Sequence, residues 1–161
     1  MKLKISVIAI LLTSICLTAT AKAEHPGHVQ WLLLTKECEG CDLSGADLGR
    51  ADLSDAKLKG ANLVNANLSG AILVGADLTE AQLTNANLSN ALLNRANLSG
   101  ANLKFANLQD ASLYKIVAQE IADFTGANLK GTKMPNGRIY QPTTEAENSS
   151  DLETNQQKSL D

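Results

Sequence analysis

Hydrophobic residues recur along this chain with a period of five over most of its length. Leucine occupies every fifth position from Leu43 to Leu113, and alanine stands two positions before each of these leucines except the first, where Cys41 replaces it. The other three positions of each unit hold mainly Asp, Asn, Ser, Thr, Lys and Gly. The chain therefore repeats one short unit in which two apolar positions alternate with polar, turn-forming ones.

A period of five fits neither a regular helix nor a flat strand. A helix turns about 100° per residue, so leucines five apart would advance by roughly 140° and leave no apolar face. A strand alternates sides with period two, so an odd spacing would send successive leucines to opposite faces. The chain must bend once per unit to return each leucine to a common axis, which predicts a solenoid.

The repeat shifts frame near its C-terminal end. Six residues, 116–121, stand where five are expected, and one extra residue predicts an outward bulge at a corner. We expect Ile116 and Ile121 to point inward still, and Tyr140 to cover the far end. Beyond the break, the leucine position passes to Phe124, Leu129, Met134 and Ile139.

The A-(D/N)-L-x-x unit resembles the motif of the pentapeptide repeat family over roughly residues 41–140. The resemblance implies an all-β fold, a right-handed quadrilateral β-helix with four units per coil. Residues 20 apart would then stack in columns about 4.8 Å apart. The stretch TKECEGCDLSGADL is also similar to the start of the repeats in secreted members from photosynthetic bacteria.

The N-terminal residues 1–23 have the pattern of a cleaved signal peptide. Lys2 and Lys4 give a basic start, an apolar stretch too short to span a bilayer comfortably follows, and Ala21-Lys22-Ala23 matches a cleavage site. We therefore expect an exported product, in a periplasm or a thylakoid lumen, with no membrane anchor after cleavage.

Three segments make up the expected mature chain. Residues 24–40 form an N-terminal cap, in which a short helix with Val29, Leu32 and Leu33 on one face covers the open first coil. Residues 41–141 form the pentapeptide-repeat β-helix. Residues 142–161 are polar, acidic and nearly free of large apolar side chains, which predicts a disordered tail.

The charge balance bears on one functional alternative. Some pentapeptide repeat proteins bind type II topoisomerases as DNA mimics, and such mimicry requires a strongly negative rod. Residues 41–141 instead hold nine acidic and nine basic residues. We therefore keep the DNA mimic as an alternative only, and we expect no nucleic acid among the partners.

Two cysteines, Cys38 and Cys41, remain once the leader with Cys16 is removed. In an exported protein, this pair predicts a structural disulfide at the start of the first coil. The alternatives are a redox role for Cys38 and Cys41, or a metal site that adds His25 and His28 to the two thiols. A count of free thiols separates these possibilities.

The repeats contain no recognisable catalytic constellation. Both histidines precede them, and a smooth rod offers no concave pocket in which serines or acids could converge. We therefore expect a non-enzymatic structural or protein-interaction module with no cofactor and no metal ion. The partner, which would be a protein, and the oligomeric state stay open.

Four apolar or aromatic residues occupy outward positions on one expected face: Ile72, Val74, Leu92 and Tyr114. Elsewhere these positions are almost all polar. The four could form a contiguous patch that contacts a partner or a second copy. They could equally reflect the tolerance of a sheet surface for branched side chains.

Overall fold

The computed structural model describes residues 26–118 and 122–141. The predicted signal peptide, residues 1–23, and the predicted tail, residues 142–161, lie outside the described residues. The described part begins with one helix, α1 (Pro26–Thr35), and continues as a stack of coils joined by single-residue β-bridges rather than by extended strands. In this part of the chain, no helix has the length and apolar character to cross a membrane.

Each five-residue unit contributes one parallel bridge, and the bridges join residues 20 positions apart. Asp42 pairs with Asn62, and Asn62 pairs with Gln82. The backbone N–H of Leu43 donates to the Asn62 carbonyl at 2.8 Å, and the Asn62 N–H donates to the Cys41 carbonyl at 2.9 Å. Four units therefore complete one coil, and each coil is hydrogen-bonded to the next. The right-handed sense of the coil stays a prediction.

The leucines of the repeat fill the interior of this tube. All fifteen, from Leu43 to Leu113, are at most 1% exposed, and the alanines beside them are mostly buried as well. Burying a leucine side chain contributes roughly 1.5–3 kcal/mol, so the stacked leucines are the main source of stability. The inward set predicted from the period of five is confirmed.

The corners of the coil share one backbone conformation. The Ala46 N–H donates to the Leu43 carbonyl at 3.1 Å, and Gly45 between them has a φ of 68°. The last residue of every unit from Gly40 to Lys115 has a positive φ of this kind, whether or not it is glycine. This left-handed conformation is the one that a type II turn requires at its third residue. Corner side chains such as Arg50 therefore sit at the edges between faces.

The frame shift changes the spacing of the bridges as predicted. Asn97 pairs with Val117, 20 residues away, whereas Asn102 pairs with Asp123, 21 residues away. The extra residue therefore falls between 117 and 123. Ile116 is only half-buried against the core, and Ile121 lies outside the described residues.

Helix α1 covers the first coil. Proline is favoured at the start of a helix, where its missing N–H is not needed. Leu32 is fully buried and Val29 packs against the core, but Leu33 is 46% exposed, so the prediction that Leu33 shares the inward face is wrong. The helix ends where Lys36 adopts a φ of 64°.

The far end of the tube is closed by a short reversal of the chain. Lys133 and Ile139 form an antiparallel bridge, and the Met134 N–H donates to the Arg138 carbonyl at 2.7 Å. Tyr140 is half-buried against the core, in agreement with its expected position at this end. Ile139 is 53% exposed, which corrects the expectation that it continues the inward leucine position. The antiparallel return turns it outward.

Candidate interaction surface

The columns of bridging residues define four faces of the tube, which we number in chain order. They are face 1 (Asp42, Asn62, Gln82, Asn102, Asp123), face 2 (Asp47, Asn67, Asn87, Asn107, Asn128), face 3 (Asp52, Ile72, Leu92, Ser112, Lys133) and face 4 (Glu37, Lys57, Asp77, Asn97, Val117).

Face 2 carries a continuous ladder of amide hydrogen bonds. The Asn67 amide donates to the Asp47 carboxylate at 2.8 Å, and each asparagine beyond it donates to the residue one coil earlier, at 3.5, 3.3 and 3.0 Å. Each ladder oxygen also accepts from the backbone N–H two residues later, as Asn87 does from Ser89 at 3.2 Å. Sequence reasoning placed these residues in solvent and missed the ladder, although asparagine at 67, 87 and 107 was its signal.

Carboxylates at bridging positions also accept a hydrogen bond from the backbone N–H two residues later. We call this bond to the corner of the coil a capping bond. The hydroxyl of Thr79 donates to Asp77 at 2.6 Å and, with its backbone N–H and the nearby ammonium groups of Lys57 and Lys59, lowers the pKa of Asp77. Hydrogen bonds from the Thr125 hydroxyl and backbone N–H, together with Lys104, lower the pKa of Asp123 likewise. These two carboxylates therefore stay ionised at neutral pH, and they accept hydrogen bonds from the backbone of their own units.

Face 3 departs from this pattern in its second and third coils. Ile72 and Leu92 pair directly through a parallel bridge, and their side chains are 36% and 42% exposed. Neither side chain can accept the backbone hydrogen bond that Asp52 accepts from the Ser54 N–H one coil earlier, at 2.9 Å. At these two positions an exposed apolar side chain therefore replaces the polar side chain that accepts this backbone hydrogen bond in most other units.

The structure places Val74, but not Tyr114, directly beside this pair. Val74 is half-buried on the coil of Ile72, and Asn94 stands between it and Tyr114 in their shared column. The ammonium groups of Lys115 and Lys133 lie 5.2 and 4.7 Å from the centre of the Tyr114 ring. Tyr114 thus belongs to a cationic cluster one coil beyond Leu92, and the predicted patch is narrower than the sequence indicated.

The two cysteines lie side by side where α1 meets the first coil. Their sulfurs are at bonding distance, and the Cα atoms of Cys38 and Cys41 are 5.2 Å apart, within the range of disulfides. Cys38 is buried, and its sulfur lies 3.7 Å from the carbonyl oxygen of His28 in α1. The bond closes the turn between the two cysteines and, through the contact of Cys38 with His28, supports the position of the cap helix. Oxidation of the pair in the exported protein stays a prediction.

Reduction of this pair, or its replacement in a Cys38→Ser/Cys41→Ser variant, is expected to loosen α1. Closing a loop this short contributes about 2 kcal/mol in the chain-entropy treatment. Amide hydrogen exchange in residues 29–35 should accelerate, while the coils beyond Leu63 keep their protection. Without reductant, the denatured mature protein should contain no reactive thiol, and reduction should release two. Two free thiols in unreduced protein would contradict the disulfide.

The metal alternative has less support from the arrangement of its four ligands. His25 lies outside the described residues, and Nδ1 of His28 lies 3.1 Å from the backbone carbonyl oxygen of Asp42. Sulfurs bonded to each other cannot both act as thiolate ligands. Among the described residues, no group of three or more His, Cys, Asp or Glu is arranged to hold a metal ion.

Comparison with known proteins decides the family. A profile for pentapeptide repeats matches residues 37–75 and 76–114, with eight copies of the repeat. A pentapeptide repeat protein from the thylakoid lumen of Arabidopsis thaliana is 32% identical over 72% of this chain and 74% of its own, with a TM-score of 0.59. This chain belongs to the pentapeptide repeat family. A comparison with curated protein sequences found no significant match.

Two other solved structures are similar in sequence. Rfr23 from the cyanobacterium Cyanothece 51142 is 32% identical over 68% of this chain and 96% of its own, with a TM-score of 0.32. QnrB1, a plasmid-mediated fluoroquinolone resistance protein, is 27% identical over 55% of this chain and 46% of its own, with a TM-score of 0.45.

Proposed function

We propose that this pentapeptide repeat protein is an exported, non-enzymatic interaction module that binds another protein through face 3. The patch consists of Ile72, Leu92 and Val74. Export is inferred from the leader-like residues 1–23, and a thylakoid lumen or a periplasm fits the similarity to the Arabidopsis protein of the thylakoid lumen. The right-handed sense of the coil belongs to the same proposal, because it is carried over from the family.

One observation carries the proposal: two stacked bridging positions are apolar and exposed where the repeat favours a capping side chain. In the parallel ladder of the described residues, bridging residues are polar or charged except at Ile72, Leu92 and Val117, and Val117 lies beside the frame shift. Aspartate or asparagine at 72 and 92 would add a hydrogen bond worth about 0.5–1.5 kcal/mol each. The pattern of polar bridging residues is thus broken at two adjacent positions of one face, with no gain in stability. Such a break is typical of a binding site.

The DNA-mimic alternative has weaker support. The nine acidic and nine basic residues of 41–141 give no net negative charge, and Lys57 and Lys59 lie together on face 4. This alternative rests on what some other pentapeptide repeat proteins bind and not on a feature of this chain. A gyrase supercoiling assay tests it, since a mimic inhibits or protects the enzyme at micromolar concentration.

An Ile72→Asn/Leu92→Asn variant should separate binding from folding. Asparagine at both positions restores the capping bond, so the unfolding temperature should equal or exceed that of the unaltered protein. Partner capture in the exported compartment should fall at least tenfold, because the buried centre of the contact is lost.

The matched control is Gln82→Asn, an exposed bridging position on face 1. It places the same asparagine at a bridging position, so the unfolding temperature should again be equal or higher, while capture should be unchanged. Undiminished capture by the double variant would show that face 3 is ordinary surface.

A further inference from the structure

We infer that face 3 binds a second copy of this chain, with the two tubes antiparallel. The inference rests on the proposed function, because it names the occupant of the same patch. The charges at the two corner columns on either side of Ile72 and Leu92 carry the face-to-face contact, and the central column of face 3 carries its orientation.

Each corner column changes sign along the tube. Backbone hydrogen bonds between coils stack the corner residues in order. The column before face 3 is basic in the first coil and acidic in the fourth, and the column after face 3 is acidic in the first coil and basic in the third and fourth. In coil order, the first column is Arg50, Gly70, Asn90 and Asp110, and the second is Asp55, Gly75, Arg95 and Lys115.

The charged groups at the outer coils are accessible to a partner, although Asp110 accepts a hydrogen bond from the Gln109 amide at 3.2 Å and Lys115 lies over the Tyr114 ring. Arg50, Asp55, Asp110 and Lys115 are all exposed. Within residues 26–118 and 122–141, ion pairs join Lys36 to Asp52, Lys59 to Glu80 and Lys104 to Asp123, and none involves these four side chains. Their left-handed corner conformation holds them at the two edges of face 3.

Antiparallel packing makes this pattern self-complementary. A two-fold axis that lies in the interface, perpendicular to the tube, and passes between Ile72 and Leu92 exchanges the first coil with the fourth and the second with the third. Ile72 of one copy then faces Leu92 of the other. At the edges, Arg50 faces Asp110 of the other copy and Asp55 faces its Lys115, and symmetry repeats each pair. Four ion pairs then surround the apolar centre.

Parallel packing would keep opposite charges at the edges, where Arg50 would face Asp55 and Asp110 would face Lys115, but it would place like charges together in the central column. A two-fold axis along the tube brings each bridging residue of face 3 against its own copy. Asp52 would then face Asp52, and Lys133 would face Lys133. In the antiparallel arrangement, Asp52 faces Ser112 instead, so the central column favours antiparallel packing.

The size of the face sets the expected affinity. Five coils at about 4.8 Å give a length of roughly 24 Å, and one side of the coil is about 10 Å wide. The contact therefore buries less than about 1,000 Å² in total, at the low end for specific association. We expect a reversible dimer with a dissociation constant in the micromolar range or weaker, further weakened by salt because the ion pairs lie at the rim.

Charge reversal tests both the dimer and its orientation. Sedimentation equilibrium of the purified mature protein, up to about 1 mM, should show a dimer. Arg50→Glu should weaken it by about tenfold, because two attractive pairs become repulsive. Adding Asp110→Lys should restore the dimer, because the first column is then reversed at both ends. In a parallel dimer, the same double variant would face Asp55 and Lys115 with like charges and bind more weakly still.

The outcomes separate this inference from the proposed function. Restored association in Arg50→Glu/Asp110→Lys, together with loss of the dimer in Ile72→Asn/Leu92→Asn, supports the antiparallel dimer. A monomer at about 1 mM, or a double charge variant weaker than Arg50→Glu alone, overturns it. If the protein is monomeric but captures a different protein through Ile72 and Leu92, the proposed function stands and the self-association fails.

Discussion

Replacing Leu83 with lysine is expected to unfold the central coils, whereas the same replacement at Gln82, one residue earlier, leaves the fold intact. Leu83 is fully buried, in a column with Leu63 and Leu103. Removing it forfeits about 2–5 kcal/mol of packing, and an unpaired ammonium group in that position costs several kcal/mol more. Because a domain is typically stable by only 5–15 kcal/mol, the variant should lose its cooperative unfolding transition.

The control residue Gln82 is the sequence neighbour of Leu83, but its side chain points outward and that of Leu83 points inward. Gln82 is exposed on face 1, and its side-chain oxygen accepts one hydrogen bond from the Asn102 amide at 3.1 Å. Loss of that exposed bond should change the free energy of unfolding by less than about 1.5 kcal/mol. Far-ultraviolet circular dichroism and urea titration measure both variants. Similar losses at the two positions would refute the inward direction of the repeat leucines.

Deleting residues 61–80 is expected to be tolerated better than deleting the seven residues 64–70. The longer deletion removes one whole coil and joins Gly60 to Ala81, so every later bridging residue finds an equivalent neighbour. The shorter one joins Leu63 directly to Ala71 and removes the two corner residues of that unit. Without them, the chain cannot turn before the next inward pair.

Shape and stability distinguish the two deletions. The 20-residue deletion should give a folded rod that is shorter by about 5 Å in solution scattering, one coil spacing, with a modestly lower unfolding temperature. The seven-residue deletion should lose much of its ordered circular dichroism signal despite the smaller change in length. Equal tolerance of both deletions would contradict a coil of four units.

The buried leucines could be predicted from the sequence, because the period of five alone determines which side chains of each unit point into the tube. The hydrogen bonds on the surface could not, since the same polar side chain can point to solvent or bond to its neighbour one coil away. Asn67 and Asn87 in the face 2 ladder are the example. Only the 20-residue offset of the bridges shows which polar residues meet.

The ends of the tube and the candidate site were also only partly predictable. Leu33 follows helical spacing but is half-exposed, because Leu32 and Val29 already cover the narrow end of the core. Ile139 faces outward because the last segment returns antiparallel. For the patch, the sequence correctly places Ile72 beside Leu92. It gives no sign that Lys115 and Lys133 would lie over the ring of Tyr114.

The uniform corner conformation has a consequence for how such a protein can change over time. Glycine, asparagine, arginine and even Phe105 occupy the same left-handed position without altering the path of the chain. Residues at the edges can therefore be exchanged almost independently of the interior, and an added coil moves two edge residues apart by a fixed step. The partners that such a tube binds can therefore change through substitutions at its corner residues alone, while the buried core and the path of the chain stay the same.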